Sequence, residues 1–313
     1  MRTRVILIGV VVVATLAGAL LLGQVVRLVR SEAGPPAAAG ARQRALDSIQ
    51  TLIQPPPPPP TLRAGPVSLR SNPPFWSWAL LDRNTLEISG SPNLTKTNTT
   101  ESMIKAWIVS DYLRRVAERR QTPTSDVLRR LSTAIRNSDD LAAQWAYQQG
   151  GRDAVITRLI RTCGLTETKL FTGWWSLTQM SARDAVRMGL CIADERAAGP
   201  AWTGWVLAQM RQVSGTVTQQ QVHTGGGRWG IIDGLPAEIA STVSIKNGWW
   251  YHPDGRWHIN CLAIGEDWVL AVQAQYPYGA WRSGAPIPDG LAQGAEICRS
   301  VTQQLVTRPA VPQ

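Results

Sequence analysis

The stretch "TTESMIKAWIV" at residues 99–109 places Ser102 three positions ahead of Lys105, at the start of an apolar run. Residues at i and i+3 are neighbours on one helix face. Thr99 or Thr100 suits an N-cap, which puts both residues in the first turns. There the positive end of the helix dipole disfavours a further cation and lowers a lysine pKa. A neutral lysine amine beside a serine hydroxyl accepts its proton and makes a nucleophile without histidine. The chain has only four lysines (Lys96, Lys105, Lys169 and Lys246), so the place of each is informative. Lys246 lies in "SIKNGW" at 244–249, where Lys246, Asn247 and Gly248 are expected to face a site and the glycine admits a close backbone approach. Between the two, "NSDD" at 137–140 ends one helical pattern and opens another, which places Ser138 and Asp140 at a turn.

The elements that must position these residues follow from hydrophobic period and turn signals. "FWSWALLD" and "TLEISG" alternate as paired strands around the turn "DRN". Helical patterns then cover 102–119, 124–136, 139–149, 151–162, 181–194 and 200–212. Strand signals return in "TVSIKNGWW", "WHINCLAIG" and "WVLAVQAQY", and a last helix is expected over 288–305. The order predicts an α+β domain whose sheet takes strands from both ends of the chain. No internal repeat is present.

S-M-I-K, then S-D-D, then K-N-G resembles the S-x-x-K, S-D-N and K-T-G triple of penicillin-recognising serine enzymes. The resemblance is closest to class A β-lactamases and related actinobacterial serine hydrolases, and it spans residues 70–305. "RWGIIDGLP…VSIKNGWW" is similar to a K-N-G-W variant among those relatives. The likeness implies a β-lactamase/transpeptidase-like fold, an antiparallel sheet plus a helical block. It implies Ser102 as acyl-accepting nucleophile, Lys105 as its general base and Ser138 as proton relay to the leaving nitrogen. Lys246 would hold a substrate carboxylate and tune Ser138. Asp140, Asn247, Gly248 and Trp249 would contact substrate, the oxyanion hole using the backbone amides of Ser102 and Trp249. No cofactor and no metal is implied. Three departures stand out. Asp140 adds a charge where the family has an asparagine, and Asn247 replaces a hydroxyl residue. The loop "GLTETKLFTGWWSLTQMSARD" has tryptophans where class A enzymes carry the deacylating glutamate; its one glutamate, Glu167, falls early and reads as a solvated loop residue.

Residues 5–29 carry one charge, Arg27, and are long enough to span a bilayer as a helix. A cleaved signal peptide competes, with "AGA" at 17–19 as its cut site, but cleavage there leaves an apolar start, so an uncleaved anchor is the preferred reading. No cysteine lies near the segment, which argues against a lipoprotein signal. Arginines flank both sides almost equally, so charge alone does not orient it. The predicted plan is a membrane anchor over 1–30, a Pro/Ala-rich linker over 31–65 with the stiff "PPPPPP" spacer, and a domain over 66–308 on the extracytoplasmic side.

Six arginines against one glutamate up to residue 46 supply about half of the net charge of +10, so the basic balance reads as membrane flanking and not as nucleic-acid binding. Cys163, Cys191, Cys261 and Cys298 contain no CxxC pair. Of three pairings, 163–191 and 261–298 are preferred, with four free thiols the alternative. His223, His252 and His258 lie apart with no metal-ligand spacing, "TGGGRWG" at 224–230 reads as a flexible turn, and fourteen tryptophans suit core and rim packing. Two functions remain. One is a serine hydrolase acting on a β-lactam or a cell-wall peptide or ester; the other is a non-catalytic relative that binds or scaffolds at the cell wall.

Overall fold

The computed structural model describes residues 60–277 and 290–307. The expected anchor and nearly all of the linker lie outside these residues. Among the described residues no helix is long and apolar enough to cross a membrane. The chain opens with β1 (Thr61–Leu62), β2 (Phe75–Asp82), β3 (Ile88–Gly90) and β4 (Thr97–Thr99). The helices α1 (Lys105–Glu118), α2 (Ser125–Arg136), α3 (Asp140–Gln149) and α4 (Asp153–Cys163) follow. Next come β5 (Gln179–Ser181), α5 (Ala182–Ala193), α6 (Thr203–Arg211) and the short α7 (Val217–Gln221) and α8 (Ala237–Ala240). The chain then returns to strands β6 (Ser244–Tyr251), β7 (Arg256–Ile264) and β8 (Trp268–Pro277), and ends on α9 (Gly290–Leu305) and β9 (Val306–Thr307).

Local chemistry sets several of these boundaries. Side chains of Thr124, Asp139 and Ser181 accept the amides of Val127, Ala142 and Asp184, capping α2, α3 and α5. The helices expected from sequence start within three residues of the positions read, whereas the short α7 and α8 were not expected. Two short pairings were not anticipated: β4 with β5, and β1 with β9. The second moves the start of the fold from residue 66 back to Thr61 at the latest, since β1 is already hydrogen-bonded to the C-terminal strand.

The main sheet is antiparallel, in the order β3-β2-β8-β7-β6, and takes strands from both ends of the chain as expected. Successive side chains of a strand point to opposite faces. On one face Leu262, Ile264 and Val269 pack under Gly189 of α5; on the other Ile259 and Tyr276 pack under Gly294 of α9. Both faces are covered, which is why β7 and β8 are nearly continuous apolar runs and not alternating ones. Among the polar side chains within that run are Asn260 and Gln273, both fully buried. The Asn260 amide donates to Thr99 O, Gln273 Nε2 donates to Asn260 Oδ1, and the Asn98 amide donates to Ile259 O. This buried chain of amides seats β4, and with it the turn that carries Ser102, on the sheet.

Both preferred disulfides are present, Cys163–Cys191 between α4 and α5 and Cys261–Cys298 between β7 and α9. The second closes a loop with a sequence separation of 37 and clamps α9 on the sheet. A loop of that length corresponds to about 4 kcal/mol of unfolded-chain entropy at 25 °C. Replacing Cys261 and Cys298 together by alanine is therefore expected to lower the unfolding free energy by about 2–4 kcal/mol in denaturant titrations. A loss within error of zero would show that the bond does not constrain the unfolded chain.

Candidate active site

Ser102 sits in a 3-10 turn, Glu101–Ile104, between β4 and α1. Thr100 occupies the N-cap position but makes no capping bond with its side chain. Its hydroxyl instead donates to the Trp175 and Ser176 carbonyls, tying the turn to the tryptophan loop. On the other side β6 presses against the turn. A Cβ on Gly248 would lie 2.7 Å from both Ser102 N and Thr100 O, so this strand position needs a residue without a side chain. That contact places the backbone amide of Ser102 beside the edge strand that also carries Trp249.

Lys105 and Lys246 are both fully buried, and their amines meet at Ser138. Lys246 Nζ donates to Ser138 Oγ at 2.9 Å and Lys105 Nζ to the same oxygen at 3.3 Å. Lys105 also donates to the Ser138 carbonyl and, at 2.6 Å, to Asp140 Oδ1. Ser138 adopts a left-handed backbone (φ 58°), a strained conformation that turns hydroxyl and carbonyl toward the lysines. Burial pushes the Lys105 amine below its ordinary range, opposed by the Asp140 carboxylate. Burial pushes Lys246 further down, helped by the charge on Lys105. Lys246 has no carboxylate hydrogen-bonded to it; its amine donates to Ser138 Oγ and to the Asn247 carbonyl. The Ser102 hydroxyl makes no hydrogen bond to another described residue. The Lys105 amine is committed to Ser138 and Asp140.

The remaining expected positions divide. Asp140 and Trp249 line the cleft with Ser102 and Ser138. Asn247 does not. The alternation of β6 sends Lys246 and Gly248 to one face and Asn247 to the other, where its amide donates to the carbonyls of Gly227 (3.0 Å) and Trp229 (2.8 Å). Its role is to anchor the glycine-rich segment. That segment is no loose turn: Gly226 packs on the Arg136 carbonyl so closely that any side chain would collide with it. Glu167 also differs from expectation. It is mostly buried and, despite that desolvation, hydrogen bonds from Arg183, Thr166 and Ser181 hold its carboxyl down at about 2. The Trp175 ring lies 5.5 Å from the Lys105 amine, and Trp175 Nε1 donates to Gln144.

Ser102, Asp140, Trp249 and Trp250 are shared by two halves of the cleft. The half that contains Ser138 measures about 390 Å³. The larger half, about 850 Å³, runs along Trp174, Trp175 and Trp250 to Glu101 and His252. Core and rim packing is the sequence expectation for the tryptophans, and Trp174, Trp175, Trp249 and Trp250 line this half of the cleft. Glu101 and His252 carried no signal, because only the fold brings positions 151 residues apart into contact.

No family model matches the chain. It is 30% identical over 207 residues to proteins named putative lipoprotein LppW in Mycobacterium bovis and in Mycobacterium tuberculosis strain H37Rv, a match covering 64% of this chain. The chain spans 63% of the length of those relatives. Among solved structures, TLA-3 extended-spectrum β-lactamase has a TM-score of 0.54 at 13% identity, covering 74% of this chain and 92% of that one. PBP-A gives 0.54 at 15% identity, covering 82% and 94%. A class A β-lactamase from Mycobacterium abscessus gives 0.52 at 14% identity, covering 74% and 93%. The chain has the class A β-lactamase-like fold. Identities this low establish fold alone, so the roles of residues in this β-lactamase-like domain rest on the geometry above.

The two buried amines also bear on stability. In the unfolded chain lysines hold their protons up to about pH 10.4. In the folded domain Lys105 and Lys246 release theirs at lower pH. The folded state then binds fewer protons over that interval, so stability rises with pH across it. Thermal melts of the full chain between pH 7 and 9.5 should show this rise, and Lys246→Met should flatten it. Equal slopes for parent and variant would count against a depressed lysine.

Proposed function

We propose that this protein is an extracytoplasmic serine hydrolase of the β-lactamase-like type, acylated on Ser102. The observation that supports this best is the convergence of Lys105 and Lys246 on Ser138 Oγ in a cleft that Ser102 and Ser138 both line. In the proposed reaction Ser102 Oγ attacks an amide or ester carbonyl. Its proton passes to the lysine–Ser138 cluster and is returned through Ser138 to the leaving atom. The Ser102 and Trp249 amides would receive the developing oxyanion, as donors fixed by the Gly248 contact.

The acyl group is proposed to leave slowly. Glu167 is locked in an ion pair with Arg183, and the tryptophans supply no base to activate water. The half of the cleft with Ser138 offers Asp139 and Asp140 and, among its described lining residues, no lysine or arginine. Lys246 is fully buried behind Ser138 and Asn247 faces away, so a substrate carboxylate lacks its expected partners. That favours an uncharged or cationic cell-wall peptide or ester over a typical β-lactam. The exposed Trp174 and Trp250 suit an apolar or sugar portion of such a substrate.

The second reading, a non-catalytic binding protein at the cell wall, is favoured by one specific observation: Lys105 is ion-paired with Asp140 and not bonded to Ser102. Placement outside the cytoplasm is supported by the two disulfides and by the apolar segment 5–29. The relatives are named putative lipoproteins. Here every cysteine is in a disulfide, so anchoring is assigned to the apolar segment and not to a lipidated thiol.

A fluorescent penicillin incubated with the full chain and run on a denaturing gel tests the reading. A covalent band is expected, formed slowly, persisting for many minutes and absent in Ser102→Ala. Asp140→Asn removes the charge that keeps Lys105 protonated. It should therefore label several-fold faster at neutral pH, with the acidic limb of the rate profile moved to lower pH. No band in the parent together with no hydrolysis of peptide or ester substrates would favour the binding protein.

A further inference from the structure

Glu101, His252 and His258 converge beside Ser102, although nothing in their spacing suggests it. Glu101 precedes Ser102, His252 directly follows β6, and His258 lies in β7 across a tight hairpin. One ligand-type atom from each lies within 4.8 Å of the other two. The imidazole rings are 4.0 Å apart between centroids. His252 Nε2 is 2.8 Å from Glu101 Oε1 and 3.5 Å from Thr99 Oγ1, while His258 Nδ1 is 2.8 Å from that same hydroxyl. The carboxylate oxygen and both ring nitrogens thus surround one point next to Thr99.

The surroundings fit a cation better than a simple hydrogen-bonded pair. His258 Nε2 lies 3.0 Å from Asp254 Oδ2, and Asp254 is itself fixed by the Arg256 amide. A carboxylate that takes the far N–H of a histidine leaves the near nitrogen with its lone pair forward, the usual support of a metal-ligating imidazole. Glu101 is a buried carboxylate on a left-handed backbone (φ 49°), a costly arrangement without a strong partner. Two imidazoles with one carboxylate form a nitrogen-rich set that suits zinc, whereas calcium and magnesium take oxygen ligands. Tetrahedral zinc with ligands at about 2 Å needs donor atoms a little over 3 Å apart. The His252–Glu101 pair at 2.8 Å would therefore open a little, and the other separations, which lie within 4.8 Å, would close toward it.

We propose that Glu101, His252 and His258 form a binding site for a zinc-class divalent cation, with Asp254 orienting His258. The fourth position faces the cleft, because Glu101 and His252 both line it. On binding, His252 carries its single proton on Nδ1 and gives Nε2 to the metal. The ion would clamp the β6–β7 hairpin to the turn that holds Ser102. This site does not depend on whether Ser102 is acylated.

The test uses the full chain without a histidine tag, stripped by a chelator and titrated with zinc against a chromophoric competitor. One equivalent is expected to bind at micromolar concentration or tighter, and thermal unfolding should shift upward with added zinc. Glu101→Gln, His252→Ala and His258→Ala should each weaken binding at least tenfold, and Asp254→Asn by about ten- to a hundredfold. His223→Ala, which alters the one histidine outside the cluster, should leave the zinc affinity unchanged. Cobalt added in place of zinc gives a readout on the parent protein alone: visible ligand-field bands of a four-coordinate nitrogen and oxygen site. A parent chain that takes up neither metal, or variants that bind zinc as the parent does, would reduce the cluster to hydrogen bonds and overturn the proposal.

Discussion

Two lysine amines with no access to water are aimed at one hydroxyl, and much of the domain can be read as what it takes to hold them there. A buried ammonium without a counter-charge is costly, and two of them within reach of one oxygen repel each other. The domain resolves this with a single carboxylate, Asp140, placed on Lys105 and not on Lys246. The rest is geometry. Ser138 must take a left-handed turn to reach both amines, and β6 must come close enough to the turn that carries Ser102 that only glycine fits at 248. The end of α2 must be braced, which the segment around Gly226 does by packing on Arg136. Asn247 completes the brace by bonding the two carbonyls of that segment.

This arrangement explains which parts of the site were legible in the sequence. Ser102, Lys105, Ser138 and Lys246 belong to short motifs at or beside strongly patterned elements. The starts of α1 and α3 together with β6 bring them to one place, although the threonine cap expected ahead of Ser102 makes no capping bond. Asn247 was misplaced because a motif was taken as a unit, whereas a strand alternates and sends its middle residue to the opposite face. The β1–β9 and β4–β5 pairs escaped notice because two or three residues carry no period. Glu167 looked like a loop residue because its partner Arg183 lies on α5, beyond the loop. The Glu101–His252–His258 cluster is a purely tertiary product, assembled by a hairpin and by the amide chain through Asn98, Asn260 and Gln273.

That amide chain has a second consequence. For the proposed acylation, the turn that carries Ser102 must not drift by even an ångström. Here it is gripped from three directions: by Thr100 on the tryptophan loop, by Gly248 from β6, and by Asn260 from β7. The tryptophan loop therefore does more than wall the cleft. Trp175 shields the Lys105 amine, its ring nitrogen is tied to Gln144 of α3, and its backbone holds the Ser102 turn.

Asp140 is the residue on which the proposed chemistry turns. An asparagine there would bond Lys105 without favouring either of its protonation states. A carboxylate at 2.6 Å favours the ammonium, which cannot accept a proton from Ser102. Burial lowers the Lys246 pKa, the charge on Lys105 lowers it further, and no carboxylate is bonded to Lys246 to oppose them. Ser138 Oγ touches both amines, so a proton that reaches that hydroxyl can pass on to Lys246. On this reading Lys105 becomes the electrostatic partner and Lys246 the base, the reverse of the assignment that the motifs imply. The change also fits the half of the cleft that contains Ser138, whose described lining residues include no lysine or arginine, because a lysine that serves as a base is neutral and cannot hold a substrate carboxylate.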